Sequence, residues 1–208
     1  MARPASIGPV DAAGAEILNR MVRRIVRSVK PLRVILFGSQ ARGDAHQGSD
    51  VDLLIVVPDD ANKKLAWRRA RAAVDGAWGA GCDILVATPA DIMRRGNLVG
   101  DVLRPALREG HVVYDAPGMA ERNRELEAGP VTEDERLGAT RQWMRLARAD
   151  LMTAEMAVQR PDIDPYPPSY LSQQSAEKAL KAILVFLQLD YPLTHDLDRV
   201  RGSIPDDW

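Results

Sequence analysis

The stretch that decides the fold of this chain is an apolar segment ending in glycine, followed by a second apolar segment that begins with acidic residues. It reads Phe37-Gly38-Ser39-Gln40-Ala41-Arg42-Gly43-Asp44 and, after four further residues, Ser49-Asp50-Val51-Asp52-Leu53-Leu54-Ile55-Val56. The runs Val34 to Phe37 and Val51 to Val57 are continuously apolar, which is typical of strands buried on both faces. The stretch therefore predicts two buried strands joined through a turn at Gly38-Ser39.

Helix and strand patterns alternate on either side of these two segments. A helical pattern over 9–30, ended by Pro31, precedes them, and a second helical pattern over 61–78 follows them. Cys82 to Val86 predicts a third strand, 98–108 a helix, and His111 to Tyr114 a fourth strand. This order predicts an α+β domain over residues 1–116, with a small mixed β-sheet and flanking helices.

No strand pattern appears after this domain. Residues 117–132 are polar and contain Gly129-Pro130, so they are predicted to form a linker. Helices are predicted over 133–159 and 169–187, with a proline-rich loop at 161–168, and a further helix follows Thr194, a residue suited to capping. Residues 133–208 are therefore predicted to form an all-α bundle. Because so few helices make a small bundle, a further C-terminal portion stays an open alternative.

One side of the first of these helices is predicted to carry apolar residues. They are Leu137, Met144, Ala147, Leu151, Ala154 and Val158.

Composition excludes several classes of protein. The 208 residues, 46% of them hydrophobic, can form one substantial core or two small ones. A formal net charge of −1 gives no overall field for polyanions, so nucleic acid is not an expected partner except at a local patch. The only cysteine, Cys82, excludes an internal disulfide. Because neither a secretion signal nor a membrane span is recognisable, we expect a cytoplasmic protein without membrane association.

Two helical patterns carry clusters of basic residues. The first cluster consists of Arg20, Arg23, Arg24 and Arg27, and the second of Lys63, Lys64, Arg68, Arg69 and Arg71. Such arginines could touch phosphate, but charged residues on a surface helix are ordinarily only solvated. We interpret both clusters as solvated faces.

Two aspartates stand two residues apart at the start of the second strand. Side chains at i and i+2 of a strand point to one face, so Asp50 and Asp52 are expected to project together while Val51 and Leu53 pack on the other side. Adjacent carboxylates repel each other unless a cation neutralises them, and oxygen ligands favour magnesium or manganese over zinc. Asp83 adds a third carboxylate if its strand is a neighbour of the second one.

Each candidate residue also has a purely structural interpretation. Asp50 could cap or flank the strand, Asp52 could face solvent on an edge strand, and Asp83 could be a charge at a strand end. Arg42 could contact a phosphate or could be a surface ion-pair partner. Because Gly38 has no side chain, a ligand could approach the backbone closely there. The amides that follow Gly38 could bind phosphate if they start a helix. A Gly-Ser turn or an Asp-x-Asp alone is common, so it is their combination that points to a nucleotide site.

This combination resembles the DNA polymerase β type nucleotidyltransferase superfamily. The matching residues are Phe37-Gly38-Ser39 and Asp50-Val51-Asp52, and the fuller string from Gly38 to Asp44 looks like its minimal nucleotidyltransferase branch. The resemblance covers about 22–114. It implies that Gly38 and Ser39 hold a nucleoside triphosphate, that Asp50 and Asp52 bind two Mg²⁺ or Mn²⁺ ions, and that Asp83 completes the metal site.

A second resemblance covers the helical part. Ser172 to Ala182, together with Thr194-His195-Asp196-Leu197, is similar to the HEPN family of helical domains, which often accompanies minimal nucleotidyltransferases. Many HEPN proteins carry a ribonuclease motif in which an arginine precedes a histidine by four to six residues. No arginine stands at that distance before His195, so RNA cleavage is not expected. His195 is expected to fix a helix start, with a substrate contact as the alternative, and Glu177 is expected to form a surface pair with Lys181.

The two resemblances together imply an enzyme that moves AMP from ATP to a hydroxyl group on an unidentified protein or small molecule. The helical domain would bind the acceptor, pack on the first domain or form a homodimer. Two alternatives stay open: a nucleotide-binding or antitoxin-like module without turnover, and an RNA-processing partner of a toxin-antitoxin pair.

Overall fold

The structure is a computed structural model that describes residues 12–46, 48–79, 81–119, 126–160, 166–191 and 195–208. The chain divides into two compact units. The first unit consists of residues 1–97 and 101–130, and the second of residues 98–100 and 131–208. In the described ranges, no helix combines the length and the apolar content needed to cross a bilayer.

Helices and strands alternate in the first unit, except that two helices, α4 and α5, follow β3. The helices are α1 (Ala12–Val29), α2 (Gly38–Arg42), α3 (Lys63–Val74), α4 (Pro89–Arg95) and α5 (Leu103–Glu109), and the strands are β1 (Arg33–Phe37), β2 (Val51–Val56), β3 (Cys82–Ala87) and β4 (His111–Asp115). One sheet has the order β3-β2-β1-β4. Strand β1 runs antiparallel to β2 and β4, whereas β2 and β3 are parallel. The predicted α+β class with a small mixed sheet is confirmed.

Strand β2 is apolar from Leu53 onward because helices cover both faces of the sheet there. Leu53 and Ile55 point to one face and pack with residues of α1 and α3. Leu54 and Val56 point to the other face and pack with residues of α4 and α5. All four side chains are fully buried, as the period of two along a strand requires when both faces are covered.

Helix α4, which follows β3, is not among the helices predicted from the sequence. The Thr88 hydroxyl accepts a hydrogen bond from the Asp91 amide at 3.2 Å, and the Asp91 carboxylate accepts one from the Thr88 amide at 3.1 Å. This capping box, with Pro89 at the first helical position, is the local signal for a helix start. Helix α5 begins at Leu103, later than the predicted 98, which places Pro105 in the first turn, where it breaks no helical hydrogen bond.

Part of the segment predicted as a linker packs onto the first unit. Met119 and Leu126 are buried in the same core cluster as Ile92 of α4. The Gly129 amide donates a hydrogen bond to the Met93 carbonyl oxygen at 2.8 Å. These residues therefore belong to the packed part of the first unit.

The second unit contains helices α6 (Glu133–Val158), α7 (Tyr166–Leu187) and α8 (Leu197–Arg201). Helix α7 begins three residues before the predicted Ser169, so the predicted loop over 161–168 was wrong at its end. Pro167 and Pro168 lie in the first turn of α7, where proline needs no amide partner. Residues 161–165 of that loop are outside the described ranges.

The cap of α8 differs from the expectation. The carboxylate of Asp196 accepts hydrogen bonds from the amides of Asp198 and Arg199 at 3.0 and 3.2 Å, so Asp196 is the N-cap residue. Thr194, the expected cap, lies outside the described residues. Aspartate is as good a cap as threonine, which explains why spacing alone did not distinguish them.

The residues predicted to share one side of α6 do not share one environment. Ala147 and Ala154 are buried, whereas Met144, Leu151 and Val158 remain 50%, 44% and 71% exposed. Helix α6 packs along α7, and small alanine side chains allow two helices to approach closely. The helix pair therefore buries the alanines and leaves a row of large apolar side chains in contact with solvent.

Candidate functional site

The three predicted carboxylates meet at one end of the sheet. Asp52 is the second residue of β2 and Asp83 the second residue of β3, and the parallel register pairs them directly. Asp50 lies two residues before Asp52, immediately before β2 begins. All three aspartates line one cavity of about 500 Å³. A cavity of this volume is within the range of small-ligand sites.

The remaining walls of the cavity come from four parts of the first unit. The lining residues besides the aspartates are Phe37, Trp67, Arg71, Gly81, Cys82, Ile84, Leu85 and Val102. Trp67 Nε1 donates a hydrogen bond to the Ile84 carbonyl oxygen at 3.2 Å, and Arg71 Nη1 donates one to the Cys82 carbonyl oxygen at 3.0 Å. Helix α3 is thereby anchored along β3, and one aromatic and one cationic side chain are fixed at the cavity wall.

The electrostatics of the site reflect three acidic groups held close together. Burial raises the pKa of Asp52 above its ordinary value, and the negative charges of Asp83 and Asp50 raise it further, while Arg42 opposes them. A carboxylate so placed is destabilised in its ionised form. A cation bound beside Asp52 would therefore remove an existing repulsion.

The donor set fits a magnesium or manganese ion in its chemistry. Carboxylate oxygens are the ligands that these hard cations prefer, and none of the three aspartates forms an ion pair with a described residue. In the described part of the chain, however, no three Asp, Glu, His or Cys side chains are arranged as a ready-made metal site. Metal binding would therefore require the carboxylates to turn toward a common point.

Gly38 lies directly against Asp52. Its φ of +70° is in the left-handed region, and a Cβ atom at this position would stand 2.0 Å from Asp52 Oδ2. Only glycine allows the chain to turn from β1 into α2 here without displacing the carboxylate. The backbone at Gly38 is thus close to the Asp52 carboxylate. The phosphate contact expected at Gly38 stays a prediction.

Ser39 and Arg42 are positioned differently from the aspartates. Ser39 lies in the first turn of α2, and neither it nor Arg42 is among the described residues that line the cavity. Arg42 forms ion pairs with Asp44 at 3.1 Å and with Glu109 at 3.4 Å, and the Asp44 hydrogen bond raises the pKa of its guanidinium. In this structure Arg42 is a surface ion-pair partner.

Three wall residues were not identified from the sequence. A Cβ atom on Gly81 would stand 2.5 Å from Asp50 Oδ1, so this glycine gives Asp50 its space. Trp67 and Arg71 are four residues apart on α3, a spacing that places two side chains on one side of a helix. That spacing was the available signal, but Arg71 had been interpreted as part of a solvated face.

A buried polar cluster lies in the second unit. Glu177 and Lys181 are only 4% and 8% exposed, and Lys181 Nζ lies 2.5 Å from Glu177 Oε1, so the expectation of a surface pair was wrong. The rings of Trp143 and Tyr191 flank the ammonium group. The exposed His195 ring lies with Nδ1 3.0 Å from Glu177 Oε2.

The charges of this cluster support one another. Burial alone would raise the pKa of Glu177, but hydrogen bonds from Lys181 and His195 outweigh it and hold this pKa below its usual range. Burial, and then the charge of Glu177, raise the pKa of Tyr191 to about 12. Glu177 is thus an ionised, paired group at neutral pH, and it holds the His195 ring through their contact.

Two family comparisons agree with this division of the chain. Residues 18–105 match the nucleotidyltransferase domain family, and residues 140–206 match the HEPN domain family. The chain therefore carries a nucleotidyltransferase domain followed by a HEPN domain. Both predicted resemblances are confirmed at this level.

Three solved structures that resemble the chain share 12–18% sequence identity with it. A protein from Sulfolobus solfataricus described as a nucleotidyltransferase shares 18% identity over 53% of this chain and 93% of its own, with a TM-score of 0.33. A toxin-antitoxin structure with AMP-PNP shares 12% identity over 67% of this chain and 98% of its own, with a TM-score of 0.36. The structure of the spectinomycin adenyltransferase AAD(9) from Enterococcus faecialis, with ATP and spectinomycin, shares 12% identity over 91% of this chain and 95% of its own, with a TM-score of 0.40. No curated protein shows significant sequence similarity to the chain.

The contact between Gly38 and Asp52 predicts a specific cost for Gly38→Ala. Replacing glycine by alanine at a positive φ lowers the free energy of unfolding of the protein by about 1–2 kcal/mol. Gly76 provides a matched control, because its φ is +63° and nothing lies within 4 Å of an added Cβ atom. In urea denaturation, Gly38→Ala should lose clearly more free energy than Gly76→Ala, since it must also displace Asp52. Equal losses would show that the contact is not restrictive.

The raised pKa of Asp52 predicts how stability depends on pH. When folding raises the pKa of an acid, the group contributes its full stability at pH values below its pKa in the unfolded chain, here 3.8. That stability is lost as the pH rises through the pKa of the folded protein. Without divalent ions, Asp52→Asn should therefore have a higher melting temperature than the wild type at pH 7, and the difference should shrink on acidification. The exposed Asp60→Asn is the control with the same change in charge. A difference independent of pH would contradict the assignment.

Proposed function

We propose that the first unit transfers a nucleoside monophosphate from a nucleoside triphosphate to a hydroxyl group. AMP from ATP is the group expected from the family resemblance, and the acceptor is a protein side chain or a small molecule. The observation that carries the proposal is the meeting of Asp50, Asp52 and Asp83 at one cavity wall, with Gly38 packed against Asp52. The nucleotidyltransferase domain over 18–105 supports it.

The proposed roles follow from position and chemistry. Gly38 and Ser39 would contact the triphosphate, since a short side chain and a hydroxyl leave the backbone accessible to phosphate oxygens. Arg42 would contact a phosphate only after releasing Asp44 or Glu109, because its guanidinium pairs with both. Arg42 is therefore the proposed nucleotide ligand that must change its contacts on binding.

The aspartates would bind the divalent ions and accept the proton of the acceptor hydroxyl. Asp50 and Asp52 would bind Mg²⁺ or Mn²⁺, with Asp83 as the third carboxylate, in a two-ion arrangement. Bound there, the ions would stabilise negative charge on the reacting phosphate oxygens and on the departing pyrophosphate. Asp83, paired with Asp52 in the sheet register, would accept the proton of the acceptor hydroxyl.

The walls of the cavity would contribute orientation. Phe37, Ile84, Leu85 and Val102 present apolar surface, which limits water next to the reacting groups. Trp67 offers an aromatic surface that its hydrogen bond to Ile84 keeps in place. The chain would accelerate the reaction mainly by positioning two substrates for in-line attack, and no covalent nucleophile is needed.

A second candidate is a nucleotide-binding or antitoxin-like module without turnover. Such a module would use the same cavity and the same carboxylates to hold a triphosphate. An RNA-processing role within a toxin-antitoxin pair is the third candidate.

The proposed activity predicts that the three aspartates are individually essential. With α-labelled ATP and Mg²⁺ or Mn²⁺, the purified chain should release pyrophosphate and transfer label to itself or to a component of a cell extract. Asp50→Asn, Asp52→Asn and Asp83→Asn should each lower the rate by about 100-fold or more, because each removes charge from the transition-state environment. Asp60→Asn, an exposed aspartate of the same unit, should leave the rate unchanged.

The same assay separates the candidates. Tight binding of ATP with neither product would support the non-catalytic module. RNA degradation that survives all three substitutions would support the RNA-processing role. Label transfer that is insensitive to the three aspartates would refute the proposed site.

We also infer that the second unit forms a homodimer through α6. Met144, Leu151 and Val158 recur every seven residues, and they are 50%, 44% and 71% exposed. A heptad row of large apolar side chains is typical of a helix that packs against another helix. The adjacent Met152 and Met156, which are 52% and 70% exposed, widen this apolar surface.

The dimer proposal predicts that one charge in the row produces a monomer. Leu151→Asp should reduce the molar mass measured by light scattering after size exclusion from that of a dimer to that of a monomer, because a charge would be buried at the interface. Leu65 is equally exposed at 44% and lies on α3 of the other unit, so Leu65→Asp is the matched control and should stay dimeric. A monomeric wild type at micromolar concentration would contradict the proposal.

A further inference from the structure

The exposed side of α1 is almost entirely cationic. Among its described side chains the exposed ones are Glu16 and four arginines, namely Arg20, Arg23, Arg24 and Arg27. The opposite side contributes Leu18, Met21, Val22 and Ile25 to the core. The arginines therefore recur once or twice per turn over about two turns of helix, which forms a continuous stripe.

Helix α3 extends this cationic surface. It contains no acidic residue, and Lys64, Arg68 and Arg69 are exposed. Helices α1 and α3 pack against each other and cover the same face of the sheet, because Leu18 and Ala70 belong to one core cluster. Their outer sides therefore point in the same direction. We call the surface formed by these seven side chains the basic face; its members are Arg20, Arg23, Arg24, Arg27, Lys64, Arg68 and Arg69.

The basic face is not neutralised by the rest of the described chain. None of its seven members forms an ion pair with a residue that the structure describes. The chain as a whole carries a formal net charge of −1, so the positive charge is concentrated here rather than being general. Like charges on adjacent helices repel each other, and a polyanion would relieve this repulsion.

We propose that the basic face binds the phosphodiester backbone of a nucleic acid. Six of its seven members are arginines, whose planar guanidinium groups bind phosphate through paired hydrogen bonds. A stripe two turns long matches a chain of phosphates better than a single anion. Among the α1 side chains whose exposure the structure describes, none of the exposed ones is apolar, which is unlike helices that insert into a membrane surface.

Two further side chains of α3 connect the basic face with the cavity. Arg71 is one turn beyond Arg68 and lines the cavity, as does Trp67, which is 45% exposed. Aromatic side chains next to a basic surface provide stacking positions for unpaired bases. The binding proposed here does not depend on nucleotidyl transfer. It gives a function to a local patch, which the expectation from net charge left open, and replaces the interpretation of these clusters as solvated faces.

The test compares the full-length wild type with the variant Arg20→Gln/Arg23→Gln/Arg27→Gln. Fluorescence anisotropy is measured without nucleotide or divalent ions, using labelled single-stranded RNA, single-stranded DNA and duplex DNA of about 20 nucleotides over about 50–200 mM salt. The wild type should bind at least one of these probes with affinity that falls as salt rises. The variant should bind at least about tenfold more weakly and show a salt slope lower by about 2, since three phosphate contacts are lost. The relative affinities for the three probes identify the kind of nucleic acid.

A second helix of the chain provides a matched control. Arg141, Arg145 and Arg148 form an exposed stripe on α6 of the other unit, so their triple replacement by glutamine removes the same charge. This control should bind as the wild type does, and both variants should keep the wild-type melting temperature. Equal weakening in the control, unchanged binding in the α1 variant, or no wild-type binding to any probe at low salt would overturn the proposal. So would equally tight binding to polyglutamate or to vesicles of anionic lipid.

Because the measurement contains no ATP, its outcome is separate from that of the transfer assay. Asp52→Asn should bind nucleic acid as the wild type does, even if transfer is abolished. Loss of nucleic-acid binding in Asp52→Asn would contradict the assignment of binding to the basic face.

Discussion

The parallel pairing of β2 with β3 is the constraint on which the candidate site depends. It places Asp52 beside Asp83, and two neighbouring glycines then make room for the carboxylates. Gly38 stands against Asp52, and Gly81 stands against Asp50. Because both contacts leave no space for a Cβ atom, the backbone is fitted closely around charged groups. A fold that held these positions only for stability would gain more from apolar side chains at the same end of the sheet.

The repulsion among the carboxylates is tolerated because the rest of the sheet is well packed. Strand β2 is buried on both faces beyond Asp52, and helices from both sides fix its position. The packing in the middle of the sheet thus stabilises the fold enough to tolerate the repulsion among the carboxylates at one end of the sheet. Such an arrangement is typical of functional sites, where local strain is maintained by surrounding structure.

Much of this could be predicted from the sequence, and the failures have identifiable physical reasons. The apolar runs next to Gly38 and Asp52 were sufficient to predict the two buried strands. The period of two along a strand was sufficient to predict that Asp50 and Asp52 lie on one side. The role of Arg71 was missed because a helical pattern shows which residues are exposed but not what lies beside them. Helix α4 was missed because Thr88-Pro89 marks a strand end and a helix start equally well.

The helical unit was harder to predict for a different reason. Spacing suggested that Glu177 and Lys181 pair on a surface, but tertiary packing encloses them with Trp143 and Tyr191. Spacing also grouped Ala147 with Leu151 on α6, although only the alanine is buried. Periodicity defines the sides of a helix, whereas the size of each side chain decides how closely another helix can approach.

Strand β3 lies at the margin of the sheet, and its outward carbonyl groups at Cys82 and Ile84 are occupied by Arg71 and Trp67. An edge strand with free backbone groups can pair with an extended segment of another molecule. Because Trp67 and Arg71 occupy these carbonyl groups, the two side chains that shape the cavity also hinder intermolecular strand pairing. A ligand that drew either of them away would expose a row of hydrogen-bond acceptors, so occupancy of the cavity and resistance to aggregation are physically linked.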